Sequence, residues 1–352
     1  TFPLKWYSEK KPEHTPDLRT EDRIPLSYRW RKFAQQNNNK RAITEGESVF
    51  TYEMLMKRVD EMRSLLFVNN IDAEDVVTFA LGRSLDHVAC LLACLESGAI
   101  ACPIDLSLPV ERQQKIISLA GSKLFISKNN KLSLVKVSGT HAVSPVETIE
   151  IKTLRPAALS ADAAAYLLYT SGSTGTPKGV VATHGMLDNL IDWQISTHEN
   201  DDGPIFHFSS SGFDVSIQEI LLAVCSGREL IIIDQEMRAE PEKLLEYLST
   251  HRDGQLFAPY AAIDALSHYA VATGAEHKLP SNITTAGEQL VVNNVVRRSF
   301  ALAKSQLRNQ YGPTETHVVS EYVLGPDVGG WEMLPPIGLP IWNTSLYVLD
   351  DC

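Results

Sequence analysis

From Pro204 to Tyr311 the sequence alternates between two kinds of run. Short stretches that read as strands occur at Pro204–Ser209, Glu229–Asp234, Gln255–Ala258, Asn282–Ala286 and Gln306–Tyr311. Between them, Ser216–Cys225, Pro241–His251, Ala261–Ala272 and Val292–Leu302 carry helical patterns. Strands that alternate with helices pack as a mostly parallel sheet covered on both faces, so the expected class is α/β. Ligands of such sheets sit beyond the carboxyl ends of the strands. The residues that follow each strand are therefore where chemistry is sought.

The first half is less regular. Ile24–Phe33 begins a helical pattern after a polar lead-in, and Arg41–Phe50 suggests a hairpin about Gly46. Thr51 has the character of an N-cap, followed by Leu55, Val59, Met62 and Leu66 at helical spacing. Val76–Leu81 predicts a strand, Ser84–Ser97 a helix stopped by Gly98, and Lys115–Ser127 a helix then a strand. His184–His198 predicts a further helix, while Lys128–Ala161 is polar and loosely patterned.

One stretch stands out. A buried-strand run, Tyr166–Tyr169, breaks into Thr170-Ser171-Gly172-Ser173-Thr174-Gly175-Thr176-Pro177-Lys178-Gly179. Glycines let backbone N–H groups approach an oxyanion, the hydroxyls add donors, and the lysine adds a point charge suited to phosphate. A polyphosphate fits such a loop. It is not a Walker A motif, because Lys178 follows Pro177 and precedes Gly179. It is not a nucleophile elbow either, because Ser171 stands two residues before Ser173 where glycine is required.

Two other stretches invite chemistry. Asp214, in Phe213-Asp214-Val215-Ser216-Ile217-Gln218-Glu219, stands at the start of an apolar helix, where a simple N-cap is one reading. Asn309-Gln310-Tyr311-Gly312-Pro313-Thr314-Glu315 reads locally as a strand, a Gly-Pro turn and a capped helix. His184 and His207 are isolated and read as structural or as loop residues near a site.

Composition narrows the classes. The 352 residues suit one large α/β domain or two small ones, and 44% hydrophobic residues allow a sizeable core. A net charge of -11 makes the whole chain a poor binder of nucleic acid or of anionic membranes. Cys90, Cys94, Cys102, Cys225 and Cys352 are too widely spaced for a disulfide framework or a zinc site. With no signal-peptide layout and no run of transmembrane length, a reducing cytoplasm is the expected location.

Taken in order, these stretches resemble the adenylate-forming superfamily, in the version found in adenylation domains of nonribosomal peptide synthetases. The run from Tyr169 to Gly179 is similar to that family's phosphate loop, and Asn309–Glu315 to its Asn-x-Tyr-Gly-Pro-Thr-Glu motif. Gly98-Ala99-Ile100-Ala101-Cys102-Pro103-Ile104-Asp105 is similar to a second core motif, and Thr284–Leu290 to a segment beside nucleotide and substrate. The resemblance implies mostly parallel sheets flanked by helices. It implies that residues 1–352 are the large N-terminal part of an adenylation domain, lacking the small C-terminal domain and turning over weakly or not at all alone. It also implies ATP and Mg²⁺ as cofactors, an amino-acid substrate, and a carrier protein whose phosphopantetheine thiol accepts the aminoacyl group.

Roles follow residue by residue. Thr170, Ser171, Gly172, Ser173, Thr174, Gly175 and Lys178 would hold phosphates. Asn309 would bond the adenine, Tyr311 would stack on it, and Gly287, Glu288 and Gly312 would lie beside the nucleotide. Thr314 would hold the α-phosphate and Glu315 the Mg²⁺. Asp214 would pair with the substrate ammonium. Phe213, Val215, Gln218, Leu256, Thr284, Ala286, Gln310, Val318 and Val319 would complete a pocket uncharged apart from Asp214. The opening Asp-Val-Gln-Leu and closing Val-Val resemble pockets for proline; Thr284 and Gln310 depart from that pattern and could instead hydrogen-bond a small polar side chain such as that of glutamine. An acyl-CoA ligase or a degenerate binding module are the alternatives.

Overall fold

A computed structural model describes residues 25–129, 131–136, 142–143, 159–170, 176–198 and 202–347. The polar lead-in, most of the stretch after Lys128, and Ser171–Gly175 of the glycine-rich loop lie outside the described residues. In chain order the first half contains α1 (Leu26–Gln36), β1 (Arg41–Glu45), β2 (Ser48–Thr51), α2 (Tyr52–Val68), β3 (Val76–Ala80), α3 (Leu85–Ser97) and β4 (Ile100–Pro103). Then come α4 (Val110–Leu119), β5 (Leu124–Asn129), β6 (Lys131–Lys136), β7 (Ala142–Val143), β8 (Ala164–Thr170), β9 (Lys178–Thr183) and α5 (His184–Thr197). The second half runs β10 (Ile205–His207), α6 (Asp214–Ser226), β11 (Leu230–Ile232), α7 (Gln235–Ala239), α8 (Pro241–Ser249), β12 (Gln255–Phe257) and α9 (Tyr260–Thr273). It closes with β13 (Asn282–Thr285), α10 (Asn294–Ala303), β14 (Gln306–Tyr311), β15 (Ser320–Val323) and β16 (Leu339–Pro340).

The strands form two sheets rather than the single sheet that alternation alone suggests. Among the described residues, one has the order β16-β15-β14-β13-β12-β10-β11-β1-β2 and the other β7-β6-β5-β3-β4-β8-β9. The middle of each is parallel, and antiparallel strands finish both rims. Parallel strands buried on both faces need cover on both sides, and the apolar side chains sort accordingly. Ile205, Phe257, Phe79, Leu124 and Tyr166 join α1–α3, α5 and α6 in a core between the sheets. Phe206, Leu256, Ile283 and Leu307 face the opposite way, into a core shared with α8, α9 and α10.

Local signals work as their chemistry dictates. The Thr51 hydroxyl accepts from Met54 N, and Ser84 from His87 N, each capping the helix that follows. Gly227 ends α6 at φ +74°, and a Cβ there would run into the Phe33 ring, so both backbone and packing demand glycine.

Two buried histidines carry a testable cost. Burial pushes His87 down to about 3, helped by the neighbouring His207 and Arg83 charges, and pushes His184 down to about 4. Between about pH 6.5 and these values the unfolded chain binds protons that the folded chain refuses. Stability is therefore expected to fall with falling pH through that window, by up to about 1.4 kcal/mol per pH unit for each histidine. Urea unfolding from pH 7 to pH 4.5 measures it. The His184→Gln variant should show a shallower slope, and an unchanged slope would contradict the account.

Candidate active site

The carboxyl ends of β10, β12, β13 and β14 open onto one cavity of about 450 Å³. The segment after β10 supplies Ser209, Ser210, Phe213, Asp214 and Val215; β12 and its end supply Phe257, Ala258 and Pro259. β13 and its end contribute Thr284, Ala286, Gly287 and Glu288; the segment after β14 contributes Gly312, Pro313, Thr314, His317 and Val318. Three stretches singled out in the sequence, about 100 residues apart along the chain from Phe213 to Thr314, thus meet at one point.

Asp214 is not the N-cap; Phe213 is, and Asp214 is the first residue of α6. Its Oδ1 accepts from Val215 N at 2.8 Å. No cation pairs with it among the described residues. The helix N-terminus supports its negative charge, and two buried groups register that charge. Burial and Asp214 together push the Tyr166 phenol up, while burial holds His317 down against Asp214's opposing pull.

The β14 motif is a strand and a turn, but no helix follows. Thr314–Thr316 turn and the chain returns as β15, antiparallel to β14. Gly312 is obligatory here, since a Cβ would collide with the His317 carbonyl oxygen. Tyr311 is 45% exposed at the strand end, and Glu315 is exposed outside the cavity lining. Asn309 is buried, with Nδ2 donating to the Pro336 carbonyl at 2.9 Å.

Several expected pocket residues stand elsewhere. Leu256 points into the far core, and its neighbour Phe257 lines the cavity. Side chains alternate along a strand, so a one-residue error in register exchanges the faces. Gln218, Gln310 and Val319 are buried behind the lining rather than in it. Phe213, Val215, Thr284, Ala286 and Val318 do line it, as do Gly287 and Glu288, whose Oε2 also accepts from Ala261 N at 3.1 Å. Thr170 ends β8 and pairs in register with Lys178. Lys178 is therefore the exposed first residue of a strand, not part of the loop, and it is outside the cavity lining.

The lining is also more charged than expected. Arg238 joins it from α7, its guanidinium 4.8 Å from the Phe208 ring centroid and its Nη1 donating to Gln235 Oε1 at 3.0 Å. Burial lowers its pKa, against the pull of Glu219 and Asp105. His317, at φ +57°, accepts from Val318 N through Nδ1 at 2.9 Å, so the neutral ring carries its proton on Nε2. His207 is structural: its Nδ1 lies 2.7 Å from Glu219 Oε2, and both side chains are sealed. Spacing gives no signal for Arg238, which sits in a five-residue helix without buried residues. Glu315-Thr316-His317 gives His317 no distinguishing context.

Among the described residues, no helix is long and apolar enough to cross a membrane. The sequence model of a family described as AMP-binding enzyme matches residues 30–352. The chain is similar to tyrocidine synthase 2 of Brevibacillus parabrevis, 30% identical over 335 residues that cover 90% of this chain and 9% of that protein. In fold it is similar to the nonribosomal peptide synthetase FmoA3, with a TM-score of 0.79 and 19% identity, covering 94% of this chain and 35% of that one. It is likewise similar to a four-domain nonribosomal peptide synthetase bound to AMP and glycine, with a TM-score of 0.74 and 23% identity, over 94% of this chain and 24% of that one.

Proposed function

The chain belongs to the AMP-binding enzyme family, and from that membership we propose that it activates an amino acid with ATP, forming an aminoacyl adenylate and pyrophosphate. The observation that carries this reading is Asp214, a carboxylate at a helix N-terminus with no cation partner among the described residues, facing the cavity that also holds Thr314. An ammonium entering such a site must be paired, and of the two carboxylates in the lining Asp214 is the one beside the apolar Val215 and Val318, while Glu288 is engaged by Ala261 N.

In the reaction a substrate carboxylate oxygen attacks the α-phosphorus of ATP. One phosphorus–oxygen bond forms, the bond to the bridging oxygen of the β-phosphate breaks, and pyrophosphate leaves with the electron pair. A carboxylate is already ionised at neutral pH, so no general base is required. The protein's work is positioning and charge stabilisation. Thr314 would hold the α-phosphate, Tyr311 would stack on the adenine, and Lys178 with the hydroxyls of the preceding loop would take the outer phosphates. Asn309, one of whose two amide N–H donors is held by Pro336, would act on the base through its oxygen and its second N–H.

Among the described residues no three His, Cys, Asp or Glu side chains could cage a metal. Glu315 alone suits a magnesium ion that keeps waters and phosphate oxygens as its other ligands. When bound, that ion would neutralise phosphate charge. The titles of solved neighbours, a four-domain nonribosomal peptide synthetase bound to AMP and glycine and an artificially fused adenylation–PCP di-domain, support an amino-acid substrate and a carrier-protein partner. For the substrate we read L-proline or a substituted proline ring. Val215, Ala286 and Val318 give the compact apolar walls that such a ring needs.

Calorimetric titration with hydrolysis-resistant acyl-sulfamoyl adenosines tests the reading, alongside amino-acid-dependent exchange of pyrophosphate into ATP. Aminoacyl compounds should bind at least tenfold more tightly than AMP. Binding of fatty or aryl compounds instead would assign an acyl-CoA ligase, and binding of none would leave a non-catalytic module.

A further inference from the structure

Arg83 follows β3 at the carboxyl end of the smaller sheet, and Arg238 stands on α7 after β11 of the larger one. Their guanidinium groups meet at a single oxygen. Arg83 Nη2 donates to Gln235 Oε1 at 3.2 Å, and Arg238 Nη1 donates to the same atom at 3.0 Å. Arg83 Nε also donates to the Ile233 carbonyl at 3.1 Å, and the Phe208 ring lies against the Arg238 guanidinium. All of these partners are neutral. Among the described residues no carboxylate forms an ion pair with either arginine.

Three carboxylates stand nearby, and each is engaged elsewhere. Glu219 takes His207 and Ser209 N, Asp105 takes Ser107 N and the Ser210 hydroxyl, and Asp234 caps α7 through Met237 N. Burial and the Arg238 charge push Arg83 down to about 10 despite all three, and burial lowers Arg238 despite Glu219 and Asp105. Two like charges side by side in a half-buried place repel each other, and an anion bound between them removes that cost. Each guanidinium offers a planar fork that fits phosphate oxygens.

The pair is set apart from the glycine-rich loop. In the smaller sheet β4 separates β3 from β8, the strand that leads into that loop. Two strand spacings, about 10 Å, divide the two strand ends. Arg238 lines the cavity, and the contact between Arg83 and Gln235 is open to solvent, so the pair runs from the cavity outward.

We propose that Arg83 and Arg238 form a second phosphate site at the mouth of the cavity, taking a phosphate group that the glycine-rich loop does not hold. The site stands on the two arginines; the source of its ligand rests on the amino-acid-activation reading above. Two ligands of that reaction bring phosphate oxygens. One is the pyrophosphate end of ATP. The other is the phosphodiester of the carrier's phosphopantetheine arm, whose thiol must reach an adenylate inside the cavity while the rest of the arm stays outside.

Calorimetric titration with 4′-phosphopantetheine, with pantetheine, which lacks only the phosphate, and with inorganic pyrophosphate separates the sources. If the arm is the ligand, phosphopantetheine should bind about tenfold tighter than pantetheine or better. If the nucleotide is the ligand, the two pantetheines bind alike and loss of the site weakens pyrophosphate about tenfold. The site is removed in two ways. Arg83→Gln deletes one fork, and a merely structural role for Arg83 would weaken pantetheine as much as phosphopantetheine. Gln235→Glu keeps both arginines and sets a carboxylate of this chain between them; Gln235 is exposed, so this variant folds where Arg83→Gln fails. Both variants should abolish the phosphopantetheine preference or weaken pyrophosphate. A phosphopantetheine preference that survives both, or equal binding of the two pantetheines with pyrophosphate unchanged in Gln235→Glu, overturns the proposal. None of these titrations contains an amino acid. Failure of the amino-acid reading, seen when no aminoacyl compound binds better than AMP, is therefore read separately.

Discussion

Asp214→Asn is expected to weaken binding of the preferred aminoacyl-sulfamoyl adenosine by roughly 10²–10³-fold, about 3–4 kcal/mol, while the affinity for AMP stays within about twofold. The asparagine keeps the size of the side chain and can still accept from Val215 N, as Oδ1 does now at 2.8 Å. What it removes is the charge. An ammonium brought into the cavity would then lose water without gaining an anion, and removing one partner of a desolvated pair costs far more than the pair itself is worth. Parallel titrations of the wild type and the variant with both ligands separate the outcomes. A matched loss for AMP would mean that the substitution disturbs the cavity as a whole. No loss for the aminoacyl compound would mean that Asp214 is not the ammonium site.

The largest effect on stability is expected far from the cavity. Glu96 on α3 has a side chain with no exposed surface. Its Oε1 accepts from Arg31 Nε at 2.9 Å, its Oε2 from Arg31 Nη2 at 2.8 Å, and Arg63 Nη1 lies 3.3 Å away. One carboxylate thereby ties α1, α2 and α3 together. Glu96→Ala should destabilise the fold by about 3 kcal/mol or more, since it removes the fully buried carboxylate that both guanidinium groups share and leaves the partly exposed Asp60 beside them. Denaturant unfolding of the variant checks this. A loss below about 1 kcal/mol would show that Asp60 and water satisfy both arginines.

Sequence patterns locate the elements far better than the neighbours. The β14 range Gln306–Tyr311 is legible to the residue, because it fits the strand–helix alternation and is closed by Gly312-Pro313. The caps Thr51 and Ser84 and the stop at Gly98 are equally plain. The partition into two sheets is not, because alternation of strand and helix carries no record of which strands pair. Leu256 shows a related limit. Both faces of β12 are buried, so no polar position marks which side chains face the ligand. The Asn309–Glu315 and Phe213–Glu219 stretches can be found because backbone and chemistry coincide there. Arg238, His317 and Glu321 cannot, since each acquires its role from a partner distant in the chain. Glu321 in particular meets His198, Arg308 and Gln310 only once the chain is folded.

The pairing of β1 with β11 has a consequence for how the molecule is built. Ile43 sits opposite Leu230, while the strands of the smaller sheet all lie between Val76 and Thr183. During synthesis from the N-terminus, the smaller sheet can therefore close on itself while the hairpin of β1 and β2 still has nowhere to dock. Contacts of such long sequence separation form late and slowly. The hairpin's strand edge stays open until β11 emerges, and over that interval the nascent chain presents an unpaired edge to chaperones and to other chains.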